Sequence, residues 1–196
     1  MRGLSKGIAA LAAGMLLGAP ALPAQGVEFG IGGGVGIPLS DYDESADLGW
    51  HGLAELSFVP EGWPVGFQFD GSYQQFSFDE DQFIGVEGLK ERFIMGTGNV
   101  VFKFKTSEES TFRPYLIGGV GAYNHKLTAS DDPGEILDEG QTDFGINVGA
   151  GFDIKAGGAG LFIEGRFHNV YTGGEGDTDP DRQFIPITLG IRFGGN

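Results

Sequence analysis

Three carboxylates, Glu55, Asp70 and Glu164, fall on the polar side of alternating segments, where paired acids could serve general acid–base chemistry. The same side carries Lys103, Arg113, Arg166 and Arg192. Ion pairing is therefore the simpler account of those acids, and removing one partner of a buried pair would cost about 3 to 5 kcal/mol. The glycine-rich GIGGGVG at 30–36 invites a nucleotide reading, but it contains no complete G-x-G-x-x-G and leads into no helix. Asp177, Asp179 and Asp181 have the opening spacing of a calcium loop. Arg182 stands where the glycine belongs and no glutamate closes the loop, so these are read as solvated acids. G-x-x-x-x-G-K, H-E-x-x-H and G-x-S-x-G are all absent. Neither a catalytic residue, a metal site nor a cofactor is expected.

The elements that would position these charges are strands. The 196 residues include 37 Gly and 17 Phe, no Cys, and a net charge of -15. The glycines follow no three-residue period, which excludes collagen, and the aromatic and aliphatic content excludes a disordered acidic chain. Acids outnumber bases 27 to 12, so a nucleic-acid partner is not expected. Arg2 and Lys6 precede an apolar run from Ile8 to Gly18 that falls short of the ~20 residues of a spanning helix. Residues 1–24 are read as a cleaved export signal and 25–196 as one domain.

Within that domain, eight runs alternate apolar and polar residues, at about 27–37, 48–59, 65–76, 91–105, 111–123, 142–155, 160–171 and 183–193. Short gaps at 60–64, 106–110 and 156–159 interleave with long acidic gaps at 38–47, 77–90, 124–140 and 173–182. Turns and loops then lie at opposite ends. The pattern predicts an all-β fold, an eight-stranded antiparallel up-and-down transmembrane barrel in the outer membrane. The turns and both mature termini would face the periplasm and the loops the outside.

Alternation by itself leaves open which face is inside. The polar face mixes glycine with Glu28, Glu55, Asp70, Lys103, Arg113, Asp153, Glu164, Arg166 and Arg192, which suits the narrow, side-chain-filled lumen of an eight-stranded barrel. The apolar face gathers Phe29, Phe58, Trp63, Phe102, Phe104, Phe112, Phe152 and Phe193 near one end, and Trp50, Tyr73 and Tyr171 near the other, as two interfacial girdles. The competing arrangement, apolar face inward, would make a soluble periplasmic carrier of an apolar ligand. Pro114 and Pro186 must sit near strand ends, at a bulge, or where the ladder bond is not needed.

The segments RPYLIGGVGAY (113–123), FGINVGAGFDI (144–154), LFIEGRFHNVY (161–171) and ITLGIRF (187–193) resemble the small outer-membrane β-barrel proteins of Gram-negative bacteria, of the OmpA/OmpX-like kind. The resemblance implies that Phe193 is the terminal aromatic read by the barrel-assembly machinery. Here Gly194, Gly195 and Asn196 follow it, and Thr188 stands where a glycine is common in the family. Lipid A deacylases are similar barrels that place a Ser two residues from a His. His51, His125 and His168 are followed at that spacing by Leu53, Leu127 and Val170, so that activity is the less favoured alternative to a non-enzymatic envelope or surface-interaction protein. His51 and His168 are read as lumen residues and His125 as a loop residue.

Charge is distributed unevenly. The four long gaps hold 17 of the 27 acids, against only Lys90, Lys126 and Arg182. Such a rim should attract divalent cations or basic partners, and divalent ions could bridge it to lipopolysaccharide phosphates. The expected partners are thus outer-membrane lipid and lipopolysaccharide, the assembly machinery, and cations or basic ligands at the loops.

Overall fold

A computed structural model describes residues 26–42, 46–60, 62–78, 88–107, 110–128, 140–156, 159–172 and 181–194. The expected signal segment, most of the loop acids, and Asp177 and Asp179 lie outside the described residues.

The eight alternating runs fold as β1 (Val27–Leu39), β2 (Gly49–Phe58), β3 (Val65–Ser77), β4 (Lys90–Lys103), β5 (Phe112–Thr128), β6 (Gln141–Ala156), β7 (Ala159–Val170) and β8 (Arg182–Gly194). Each pairs antiparallel with its neighbour in sequence, and β1 closes on β8 from Glu28↔Gly194 to Leu39↔Gln183. Closure pairs every backbone edge, as a bilayer demands. In the turn between β2 and β3 the Trp63 N–H donates to the Pro60 carbonyl at 3.0 Å, with Gly62 at a φ of +78°. A side chain is disfavoured there.

The apolar face points outward. Phe69 and Val148 are each 62 % exposed, and Trp50, Phe144 and Tyr171 stand out toward the long-loop end. An apolar face turned away from the lumen rules out the carrier arrangement. On β6 the outward apolar set runs from Phe144 to Ile154, matching the 9 to 11 tilted residues that cross a hydrocarbon core. Inside, glycines make room for large side chains: a Cβ on Gly190 would collide with the Phe162 ring, and one on Gly151 with Tyr115.

Beyond Phe144 the pattern inverts. Outward positions become polar (Gln75, Arg92, Asn124, Thr142), while aromatic and apolar side chains join the inward face (Phe76, Phe93, Met95, Tyr123, Phe184). The cause is a change of solvent. Where lipid surrounds the strand the apolar side faces out, and where water surrounds it the apolar side turns in. The strands thus continue past the membrane as a short barrel with its own aromatic core, capped by Tyr42 of the 3-10 turn Ser40–Tyr42, whose ring stands edge-on to Phe76 at 5.2 Å.

This extension corrects two expectations. β5 runs on to Thr128, so His125 is a buried strand residue rather than a loop residue, and Lys90, Lys126 and Arg182, counted with the loops, lie in strands. Pro114 sits near the start of β5, where its carbonyl accepts the Phe104 N–H at 3.0 Å. Pro186 lies where the β7–β8 ladder lapses between Gly165↔Ile187 and His168↔Phe184, so it interrupts no pairing on that side.

Candidate functional site: the barrel lumen

Strand parity aims every second residue into the lumen, where residues from distant strands meet. Near the short-turn end, Lys103 on β4 lies 2.7 Å from Glu28 on β1 and 3.4 Å from Asp153 on β6. Arg192 on β8 pairs with Asp153 and with Glu55 on β2, while its guanidinium stacks 4.3 Å from the Phe162 ring centroid. At mid-barrel, Arg166 on β7 reaches Asp70 on β3 across the lumen and Glu164 on its own strand, each at 2.5 Å.

This network joins five carboxylates to three cations. The excess acid is met by neutral donors. Asp70 accepts from Gln68 and Asn99 at 2.8 Å each and from Thr97 at 3.0 Å, and Glu164 accepts from the Tyr115 hydroxyl at 2.9 Å. Gln68 also bonds Glu55 at 3.0 Å. Charges removed from water persist only when paired and saturated with hydrogen bonds, and that condition is met here.

The structure brings together eight of the nine lumen charges expected from sequence: Glu28, Glu55, Asp70, Lys103, Asp153, Glu164, Arg166 and Arg192. Arg113 stands apart, beside a cavity of about 360 Å³ at the short-turn mouth, and makes no ion pair with a described residue. Phe193 is the penultimate residue of β8, exposed on the outward face opposite Phe29.

Above the network, His51 bonds the Thr188 hydroxyl and His168 the Tyr123 hydroxyl, each at 2.9 Å. Both imidazoles are buried and face the lumen, away from any lipid acyl chain. The void between them and Arg166 is about 20 Å³, room for roughly one water, and the aromatic core lies above it.

Sequence reasoning missed a second cluster in the extension. The His125 Nδ1 lies 3.0 Å from Glu91 Oε1, and its Nε2 lies 2.9 Å from Asp143 Oδ2. Arg182 Nε approaches Glu91 Oε2 at 3.7 Å, and its guanidinium lies 5.7 Å from the Tyr42 ring centroid. These groups sit beyond Phe144, outside the membrane-spanning stretches. Carboxylates only accept, so both ring nitrogens of His125 must donate and the ring is held as an imidazolium. Its hydrogen bond to Glu91 raises His125 above its ordinary value of 6.5, against the opposing effect of burial. The overlooked signal was the inversion itself, legible in KERFIM at 90–95, where the outward parity passes from Ile94 to Arg92 and Lys90 while Phe93 and Met95 keep the other.

Over residues 9–193 the chain matches the model of a family described as outer membrane protein beta-barrel domain. A search of curated protein sequences found no match. Among solved structures, Neisserial surface protein A superposes with a TM-score of 0.63 at 15 % identity, covering 86 % of this chain and 97 % of that one. A major outer membrane protein from Thermus thermophilus superposes with a TM-score of 0.55 at 8 % identity, covering 85 % and 98 %. The outer membrane enzyme PagL aligns with a TM-score of 0.49 at 13 % identity, covering 85 % and 98 %. At these identities the likeness is one of fold.

Proposed function

Since the chain belongs to the outer membrane protein beta-barrel domain family, we propose that it is a non-enzymatic integral barrel with a closed lumen, which displays four acidic loops to the cell exterior as an envelope structural or surface-interaction protein. The observation that carries this reading is the ion network spanning the bore, Arg166 to Asp70 and Arg192 to Glu55 and Asp153, stacked beneath an aromatic core. A transport path would have to dismantle both. Against the lipid-modifying alternative stands the lipid-facing surface. Between Phe144 and Ile154, and at matching depths on the other strands, its described residues are aliphatic, aromatic, Gly or Pro, apart from Tyr73 and the buried Asn169 at the border, with no His, Ser, Thr or carboxylate. An acyl substrate arriving from the membrane would meet no nucleophile with an adjacent base.

Outer-membrane barrels keep their short turns in the periplasm and their long loops outside, so the loops face outward and both mature termini the periplasm. Phe193 would serve the assembly machinery as the terminal aromatic of β8. The loops beyond the strands hold 17 acids and no base, a surface suited to divalent cations and basic partners.

Because the chain lacks cysteine, single cysteines report topology directly. With a membrane-impermeant maleimide, Gly134→Cys in the third long loop should label on intact cells, and Thr106→Cys in a short turn only after lysis. The reverse pattern would overturn the orientation. Release of fatty acid from lipid A by the purified protein, abolished in His168→Ala, would overturn the non-enzymatic reading.

A further inference from the structure

The carboxylates on the strands are confined to one face. The five carboxylates of the lumen network, together with Glu91 and Asp143, all point inward. On the outward face, the strand charges among the described residues are Lys90 and Arg92 on β4 and Lys126 on β5. Arg92 is paired directly opposite Lys126, and Lys90 follows two residues along the same face, opposite Thr128. Directly opposed like charges are destabilising unless an anion sits between them. Among the described residues no carboxylate lies within 4 Å of any of the three.

Their depth identifies the missing anion. The outward residue next below Arg92 is Ile94, 54 % exposed and at the edge of the apolar band. Two residues along a strand is roughly 7 Å, about the thickness of the headgroup layer on one side of a bilayer. Arg92 and the opposed Lys126 therefore stand at headgroup level, with Lys90 one further step above them. The loops above them carry acids alone, which repel dissolved anions, so an anion must arrive laterally from within the leaflet. Beneath the patch, a Cβ at Gly71 or Gly96 would meet nothing within 4 Å, leaving a shallow strip on the lipid face where acyl chains can lie.

We propose that the outward face of β4 and β5 binds the phosphate groups of an outer-leaflet lipid, with Arg92 and Lys126 closing on one phosphate and Lys90 reinforcing them from above. "Outer" rests on the orientation proposed above; the lipid-phosphate site does not. The mature chain, refolded in detergent and checked for a heat-shifted gel band, would be titrated with bis-phosphorylated lipid A and followed by native mass spectrometry. Removing the three bases in Lys90→Gln/Arg92→Gln/Lys126→Gln should weaken retention on the order of a hundredfold, about fivefold for each base. Lipid A stripped of phosphate should bind the unaltered protein as weakly as intact lipid A binds the triple variant, and the variant should not distinguish the two lipids. Equal retention of both lipids by the unaltered protein, or undiminished retention by the folded variant, would overturn the site. Inorganic pyrophosphate binding as tightly as lipid A would overturn the lipid as its occupant. Detergent leaves both barrel ends open to lipid, so a reversed Gly134→Cys labelling pattern would refute only the leaflet.

Discussion

The lumen depends on Arg166, because Asp70 and Glu164 both pair with it and both are buried. Arg166→Met should destabilise the barrel by about 3 to 5 kcal/mol, read from urea unfolding of the refolded protein in micelles. Arg113→Met, which breaks no ion pair to a described residue, should change it by no more than about 0.5 kcal/mol. Equal effects would show that the lumen tolerates unpaired charge. His125 sets a pH dependence at the other end. Its folded value is raised, so its pairing with Glu91 and Asp143, beside Arg182, is fully present below 6.5 and is lost as pH rises through the folded value. Unfolding midpoints of the unaltered protein should fall across that window relative to His125→Gln; parallel pH profiles would refute the assignment. The charged members of the network were legible from parity alone. Their partners were not, nor were Gln68, Thr97 and Asn99, because neutral donors in a strand look the same whether they face water or an aspartate.

At the scale of the strand, the governing fact is that one β-strand passes through two solvents. Val148 and Thr142 share β6 and its outward face, yet one meets lipid and the other water. Val148→Arg should cost about 2 to 4 kcal/mol and Thr142→Arg close to nothing, measured by folding equilibria into lipid vesicles. Equal costs would mean that the apolar band does not end at Phe144. On the inner face, Phe93→Ala removes a fully buried ring from the aromatic core and should cost about 3 to 5 kcal/mol, whereas the exposed Phe69→Ala should cost far less. The seven other strands were placed within one or two residues by alternation. β5 was cut five residues short, because past Tyr123 its outward residues turn polar and the run reads as the start of a loop.

For the molecule as a whole, the proposed closure of the lumen rests on two layers, ion pairs at mid-barrel and aromatic rings above them. Planar bilayers containing the refolded protein should show no steady conductance, and a stable open level in the unaltered chain would refute the closed bore. Strand number, order and the sidedness of long and short connections could all be read from the sequence, because they depend on a local two-residue period and on where glycine, proline and acid interrupt it. Tertiary structure alone decided what the inward side chains meet, since Arg166 and Asp70 are 96 residues apart and become neighbours only when the barrel closes. It also decided where each strand leaves the membrane. Periodicity records that two faces differ, but only the closed barrel, with lipid around one zone and water around the next, determines which face is buried at each height.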